Sequence, residues 1–211
     1  MSDSEATRLR IMISLVVLAA GQSTRFPGNK LLFQYRGEPI IRRLVRIALA
    51  SKADEIVVVT GHQSRLIRQA LTDLSMSPKL KFVLNPHYTK GMSSSVRAGV
   101  SNVNPEAQAA VFLPADVALD NPRPIDALVD SFYEGRPRIA VVNHEGRRGH
   151  PILFRRDLFS EVAAITEQDR GLKALVKKYS GEVRDVPVSE RSVLTDIDTP
   201  GDLDRDFAAS Q

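Results

Sequence analysis

The sequence predicts an α/β fold built on a mostly parallel sheet, and three observations predict it. Short runs rich in β-branched residues alternate with segments of helical period from Ile11 to Val142. The spacing of that alternation is that of βαβ units, whose strands are covered on both faces. Right-handed crossovers then bring the loops that follow the strands to one edge of the sheet, where ligands of such sheets bind.

In chain order, the first strand is expected at 11–18. A helix follows at 39–50, with Ile40, Ile41, Leu44, Val45 and Ala48 on one face. Strands at 56–60, 80–84, 109–113 and 138–142 alternate with helices at 63–74, 93–103 and 124–133. Beyond Val142 the rhythm changes. Glu145 and Gly146 suit a turn between segments 139–143 and 151–154. Two helical segments follow, at 157–165 and 171–179. Strand-like runs then come at 182–186 and 192–195, and a last helix after Thr199-Pro200. This tail reads as an antiparallel extension of the same domain. Residues 1–211 are thus expected to form one domain, with 1–10 a flexible polar tail.

Composition narrows the function. With 43% hydrophobic and 26% charged residues, the 211-residue chain has the profile of a soluble globular protein. Absence of cysteine excludes disulfides, thiolate metal sites and cysteine chemistry. No apolar run approaches the roughly 20 residues of a membrane span. The N-terminus lacks the basic-then-apolar order of a secretory signal, so the expected compartment is the cytoplasm, with no membrane partner. The net charge of +4 permits an anionic partner. The basic pairs Arg42-Arg43, Arg147-Arg148, Arg155-Arg156 and Lys177-Lys178 are scattered and poor in neighbouring aromatics, so a small anion is expected rather than nucleic acid.

The loop after the first strand, LAAGQSTRFPGNKLL (18–32), combines glycines, a Ser-Thr pair and two cations, Arg25 and Lys30. Backbone N–H groups, hydroxyls and cations together suit a polyphosphate. The spacing matches neither a Walker A loop nor a dinucleotide fingerprint, and an ordinary flexible surface loop accounts for the composition too. In LPADVALD (113–120), Asp116 ends an apolar strand and is placed to hold Mg²⁺. In TDIDTPGDL (195–203), Asp196 and Asp198 alternate with Ile197 and Thr199, and only one of the two acids is expected to reach a metal. Asp198 or Thr199 before Pro200 equally suits a helix N-terminus. In NPHYTKGMSSSVRAGV (85–100), three serines stand where a helix begins; one serves as a cap, and three exceed what a cap requires. The four histidines show no zinc spacing, and no nucleophile elbow is present.

Taken together and in order, LAAGQSTRFPGNKLL, NPHYTKGMSSSVRAG, LPAD, GHPILF, QDRGLKALV and DIDTPGDL resemble the MobA-like nucleotidyltransferases, and among them the molybdenum cofactor cytidylyltransferase branch. The resemblance spans roughly residues 13 to 207 and implies a Rossmann-like three-layer α/β/α nucleotidyltransferase fold. It implies transfer of a nucleotidyl group from an NTP to a phosphorylated acceptor, with release of pyrophosphate. Carried onto this chain, Ala19, Ala20 and Gly21 lie against base and ribose. Arg25 and Lys30 hold the triphosphate, and Asn85, Ser93, Ser94 and Ser95 complete the nucleotide pocket. Asp116 and Asp198 form the Mg²⁺ pair, with Arg25, Lys30 and Asp116 the catalytic group. Gly149, His150, Pro151, Asp169, Arg170 and Gly171 face the acceptor.

Guanylyl-transferring relatives tend to carry Gly-Gly after the first alanine of the loop. This chain has Ala19-Ala20-Gly21, as cytidylyl-transferring relatives do, which points to CTP as donor and molybdopterin as acceptor, with a molybdoenzyme receiving the product. The chain departs from the family at Gln168 and Lys173, where relatives carry Gly and Arg, and at Val117-Ala118, where they carry Met-Pro. GTP as donor, a sugar phosphate as acceptor, and a non-catalytic molybdenum cofactor carrier or chaperone are the alternatives.

Overall fold

The computed structural model describes residues 11–24, 26, 28–168, 171–199, 201 and 202. The central strand β1 (Met12–Ala19) is buried along almost its whole length. A 3-10 turn (Lys30–Leu32) and a short hairpin of β2 (Gln34–Tyr35) and β3 (Glu38–Pro39) lead into α1 (Ile40–Leu49). Then come β4 (Glu55–Thr60), α2 (Ser64–Ala70), β5 (Leu80–Leu84), α3 (Met92–Val100), β6 (Ala107–Pro114) and α4 (Arg123–Gly135). The chain continues through β7 (Ile139–His144), β8 (Arg147–Arg155), α5 (Phe159–Ala164), α6 (Leu172–Lys178) and β9 (Val183–Pro187). Among the described residues no helix is long and apolar enough to cross a membrane.

The main sheet has seven strands in the order β5-β4-β1-β6-β8-β7-β9. Its pairings are parallel except those of β8, which runs antiparallel to both β6 and β7. Period-two alternation splits each strand between two cores. Ile13, Leu15 and Val17 face the helices α1, α2 and α4, through Ile41, Ile67 and Phe132. Val16 and Leu18 face α3, α5 and α6, through Val96, Val162 and Leu175. The result is a three-layer α/β/α sandwich.

The residues chosen for the inner face of α1 are the buried ones, Ile40, Ile41, Leu44, Val45 and Ala48, joined by Ile47. The antiparallel segment expected after Val142 is part of the main sheet, where β8 inserts between β6 and β7. Two expectations need correction. The segment 192–195 is no strand; a 3-10 turn (Arg191–Leu194) drives Val193 into the core at 1% exposure. The helix expected over 63–74 stops at Ala70 and resumes only as a 3-10 turn (Leu74–Met76). Of the expected last helix, Gly201 and Asp202 are helical and the rest lies outside the described residues, as does the tail 1–10.

Candidate active site

Loops following β1, β5 and β6 meet at one edge of the sheet, as ligand-binding loops of such sheets do. They enclose a cleft of about 350 Å³. Ala20 to Thr24 form one wall, Tyr88, Thr89, Gly91, Met92 and Ser95 the other, and Asp116 the end. Gly61, after β4, packs beneath them; a Cβ there would lie 2.6 Å from Tyr88 Cβ and 2.8 Å from Ala20 Cβ.

The charged end is built by local geometry. Asn29 caps the 3-10 turn by accepting from the Leu31 N–H at 3.1 Å. This aims Lys30 inward, where its ammonium lies 2.6 Å from Asp116 Oδ2 and 3.3 Å from Asp198 Oδ1. The two aspartates come from distant segments zipped by backbone bonds. Ile197 N–H donates to the Asp116 carbonyl at 2.8 Å, and Ala118 N–H to the Thr195 carbonyl at 3.0 Å. Along this extended segment Asp198 faces the cleft and Asp196 the next cavity. Partial burial of the Asp196 carboxyl, then the charges of Asp116 and Asp198, push its pKa above the ordinary carboxylate value, against Lys30 and Lys173. Among the described residues no three histidine or acidic side chains are grouped to hold a metal by themselves. The hard oxygen pair Asp116–Asp198 fits a cation that completes its shell with water and phosphate oxygens, the habit of Mg²⁺.

Beyond Asp116 lies a second cavity of about 630 Å³, bordered by His150, Glu167, Gly171, Lys173 and Asp196. Leu18, Met92, Pro114 and Asp116 line both it and the first cleft. A third lobe of about 300 Å³ shares His150, Ile152, Lys173 and Asp196, and adds Arg147, Arg148 and Gly149. His150 Nδ1 is buried with no hydrogen-bond partner among the described residues. Desolvation, with Lys173, holds the His150 pKa below its ordinary value, against the pull of Asp116.

Of the residues singled out from the sequence, Ala20, Gly21, Lys30, Ser95, Asp116 and Asp198 line the first cleft. Ala19 is packed in the core beneath it. Asn85 is buried and shapes the wall: its amide donates to Ser94 Oγ at 2.8 Å and Ser95 Oγ at 3.0 Å. Ser94 Oγ is also 2.8 Å from the Gly91 carbonyl, so this hydroxyl is spent on the loop. Ser93 faces the second cavity instead. His150 and Gly171 line the second cavity and Gly149 the third lobe, while Pro151 is buried within β8. Arg25, Asp169 and Arg170 lie outside the described residues. Tyr88, Thr89 and Glu167 line the cavities without having been expected to, and Lys173, noted from the sequence only as a departure from the family, lines the second cavity. Tyr88 and Thr89 sit in the recognised loop without a chemical signature of their own; Glu167 meets its partner 74 positions away.

The model of the MobA-like NTP transferase domain family matches residues 15–183. A probable molybdenum cofactor guanylyltransferase of Thermococcus sibiricus is 26% identical over 204 residues, covering 93% of this chain and 98% of that protein. The molybdenum cofactor cytidylyltransferase of Escherichia coli K12 is 25% identical over 192 residues, covering 90% and 93%. The crystal structure of Rv0371c from Mycobacterium tuberculosis H37Rv superposes with a TM-score of 0.79 at 26% identity, covering 94% of this chain and 98% of that one. The same protein is also solved in complex with manganese, with a TM-score of 0.73 at 26% identity and coverage of 92% and 97%. The chain belongs to the MobA-like NTP transferase domain family and is a nucleotidyltransferase.

Proposed function

We propose that the protein transfers CMP from CTP to the phosphate of molybdopterin or its molybdenum-loaded form, with Mg²⁺, releasing pyrophosphate. The observation that carries this reading is the meeting of two cavities at Asp116. A nucleotide in the first cleft and a phosphorylated acceptor in the second would approach each other across that carboxylate. Tyr88, Ala20 and Lys30 line the first cleft, where Tyr88 and Ala20 would flank base and ribose and Lys30 would meet the phosphates. Ala20 occupies a position at which guanylyl-transferring relatives tend to carry glycine and cytidylyl-transferring relatives alanine, which favours CTP over GTP.

An acceptor phosphate oxygen attacks the α-phosphorus of CTP, a new P–O bond forms, and the bond to the β-phosphate oxygen breaks. The acceptor oxygen is already anionic near neutral pH, so no strong base is required. The protein's task is alignment and relief of charge repulsion. Asp116 and Asp198 would hold Mg²⁺, which would supply charge neutralisation on the nucleotide phosphates. Lys30 and Arg25 stabilise charge developing on pyrophosphate. On the acceptor side, neutral His150 offers a ring nitrogen with unmet hydrogen-bonding capacity, and Lys173 offers a cation. The product then passes to a molybdoenzyme in the cytoplasm.

The test is pyrophosphate release from purified molybdopterin with Mg²⁺ and each NTP in turn. CTP is expected to give the highest kcat/KM. Higher kcat/KM with GTP would reassign the donor, turnover only with sugar phosphates would reassign the acceptor, and tight cofactor binding with no pyrophosphate from any NTP would make the chain a carrier.

A further inference from the structure

The wall between the first cleft and the second cavity is the segment 91–95. Gly91, Met92 and Ser95 face the cleft, whereas Ser93 faces the cavity. On the cavity side Glu167 is fastened to this wall: its Oε2 accepts from the Ser93 N–H at 2.9 Å and from the Ser93 hydroxyl at 2.7 Å. The first turn of α3 has N–H groups with no intrahelical partner, and a carboxylate satisfies one while complementing the helix dipole. The Ser93 N–H above all holds the Glu167 pKa below the ordinary carboxylate range.

The fit is specific. Gly91 has φ +93°, and a Cβ on it would lie 2.6 Å from Glu167 Cδ, so glycine leaves the notch the carboxylate fills. Beside Glu167, the Thr166 carbonyl accepts from the Gly171 N–H at 3.1 Å. Gly171 also abuts Ser93; a Cβ there would lie 3.2 Å from Ser93 Oγ. Glu167 and Gly171 border the second cavity, and the segment that Glu167 grips borders the first.

We propose that Glu167 is a positioning residue, a latch that ties the acceptor-side loop segment 166–168 to the nucleotide-side wall so that nucleotide binding sets that segment in place. The inference rests on the reading of the first cleft as the nucleotide site. A nucleotide against Gly91, Met92 and Ser95 stabilises the opening turn of α3. That turn presents the two donors of the latch, and the latch carries the loop. Donor occupancy therefore tightens the acceptor site without a donor–acceptor contact, a coupling between sites in the thermodynamic sense.

Hydrogen exchange on the full chain, with and without Mg-CTP and Mg-GTP, tests this in wild type and Glu167→Ala, with calorimetry giving nucleotide affinity. In wild type, saturating nucleotide is expected to slow exchange across 166–168 by at least about fivefold, and in Glu167→Ala by less than about twofold, with nucleotide Kd weakened by up to the factor of protection lost. Ser93→Ala keeps the backbone donor and loses the hydroxyl, and is expected to fall between the two. Equal protection in wild type and Glu167→Ala, or no loop protection in wild type despite measured binding, overturns the latch. Binding and loop protection with GTP but not CTP would instead reassign the donor and leave the latch standing. Failure of both nucleotides to bind would overturn the nucleotide-site reading and the latch with it.

Discussion

Lys30 holds two carboxylates with one ammonium, and its side chain is only 12% exposed. In the absence of phosphates it offsets the repulsion of Asp116 and Asp198; in the proposed reaction it remains beside both when the triphosphate arrives. Asp116→Ala is expected to reduce turnover by at least about 100-fold while the chain stays folded, since metal-borne charge neutralisation is worth several kcal/mol. Pyrophosphate release near the wild-type rate in a folded variant would remove Asp116 from that role. For Lys30→Ala the expected loss in kcat/KM for CTP exceeds about tenfold, and a value within about twofold of wild type would show that the lysine does not serve the triphosphate. His150 makes a prediction about pH. Burial keeps its folded-state pKa below the ordinary value. Its contribution to stability is therefore fully present above about pH 6.5 and falls as pH drops toward the folded value, because only the unfolded chain takes up the proton. Thermal unfolding between pH 7.5 and 5 should show a shallower decline for His150→Gln than for wild type; parallel declines would refute the assignment.

The elements tell which parts of the fold local pattern encodes. The inner face of α1 and the apolar run of β1 are written in successive residues, so periodicity finds them. The insertion of β8 is not, because its partners are chosen by sheet-wide packing rather than by its own sequence. Segment 192–195 has strand composition, yet the core claims Val193, and the chain coils to deliver it. The zipper between 116–118 and 195–197 explains why Asp116 and Asp198 meet, and it is invisible until both segments are placed. Gly149, linked to the acceptor by resemblance, also has a packing reason: a Cβ would lie 2.2 Å from the Val193 carbonyl oxygen. Gly99 shows the same constraint on α3. A Cβ there would lie 2.4 Å from Val16 Cγ1 and 3.3 Å from Val59 Cγ2, on strands that feed the cleft. Gly99→Ala is expected to cost about 1–3 kcal/mol by overpacking, and for a chain of this size each kcal/mol lowers Tm by about 2–4 °C. An unchanged Tm would mean that α3 shifts freely over the sheet.

At the scale of the whole molecule, the remaining question is what the net charge of +4 attracts. Four basic pairs stand out along the chain, and folding occupies cations in each of them. Arg42 is held by Asp73, and Arg43 by Asp120 at 2.8 Å. Arg148 meets Asp185 and Arg155 meets Asp157, both at 2.7 Å. Arg156 donates to the Ala107 carbonyl at 2.9 Å, and Lys178 pairs with Glu161 at 2.6 Å. Arg42-Arg43 lie on α1, Arg147-Arg148 and Arg155 at opposite ends of β8, and Lys177-Lys178 at the end of α6, so the pairs are spread apart, and exposed ion pairs leave only a weak external field. Lys30 and Lys173, by contrast, border the cavities, where a small anion meets them in a confined space. A duplex of DNA should therefore bind weakly and with a shallow salt dependence. Fluorescence anisotropy between 50 and 200 mM salt is expected to give a slope of log K against log salt smaller in magnitude than about 2, the release of no more than about two counterions. A protein engaging six to ten phosphates would give a slope of about −5 to −9. A slope in that range would relocate the functional surface from the cleft at Asp116 to the outside of the fold.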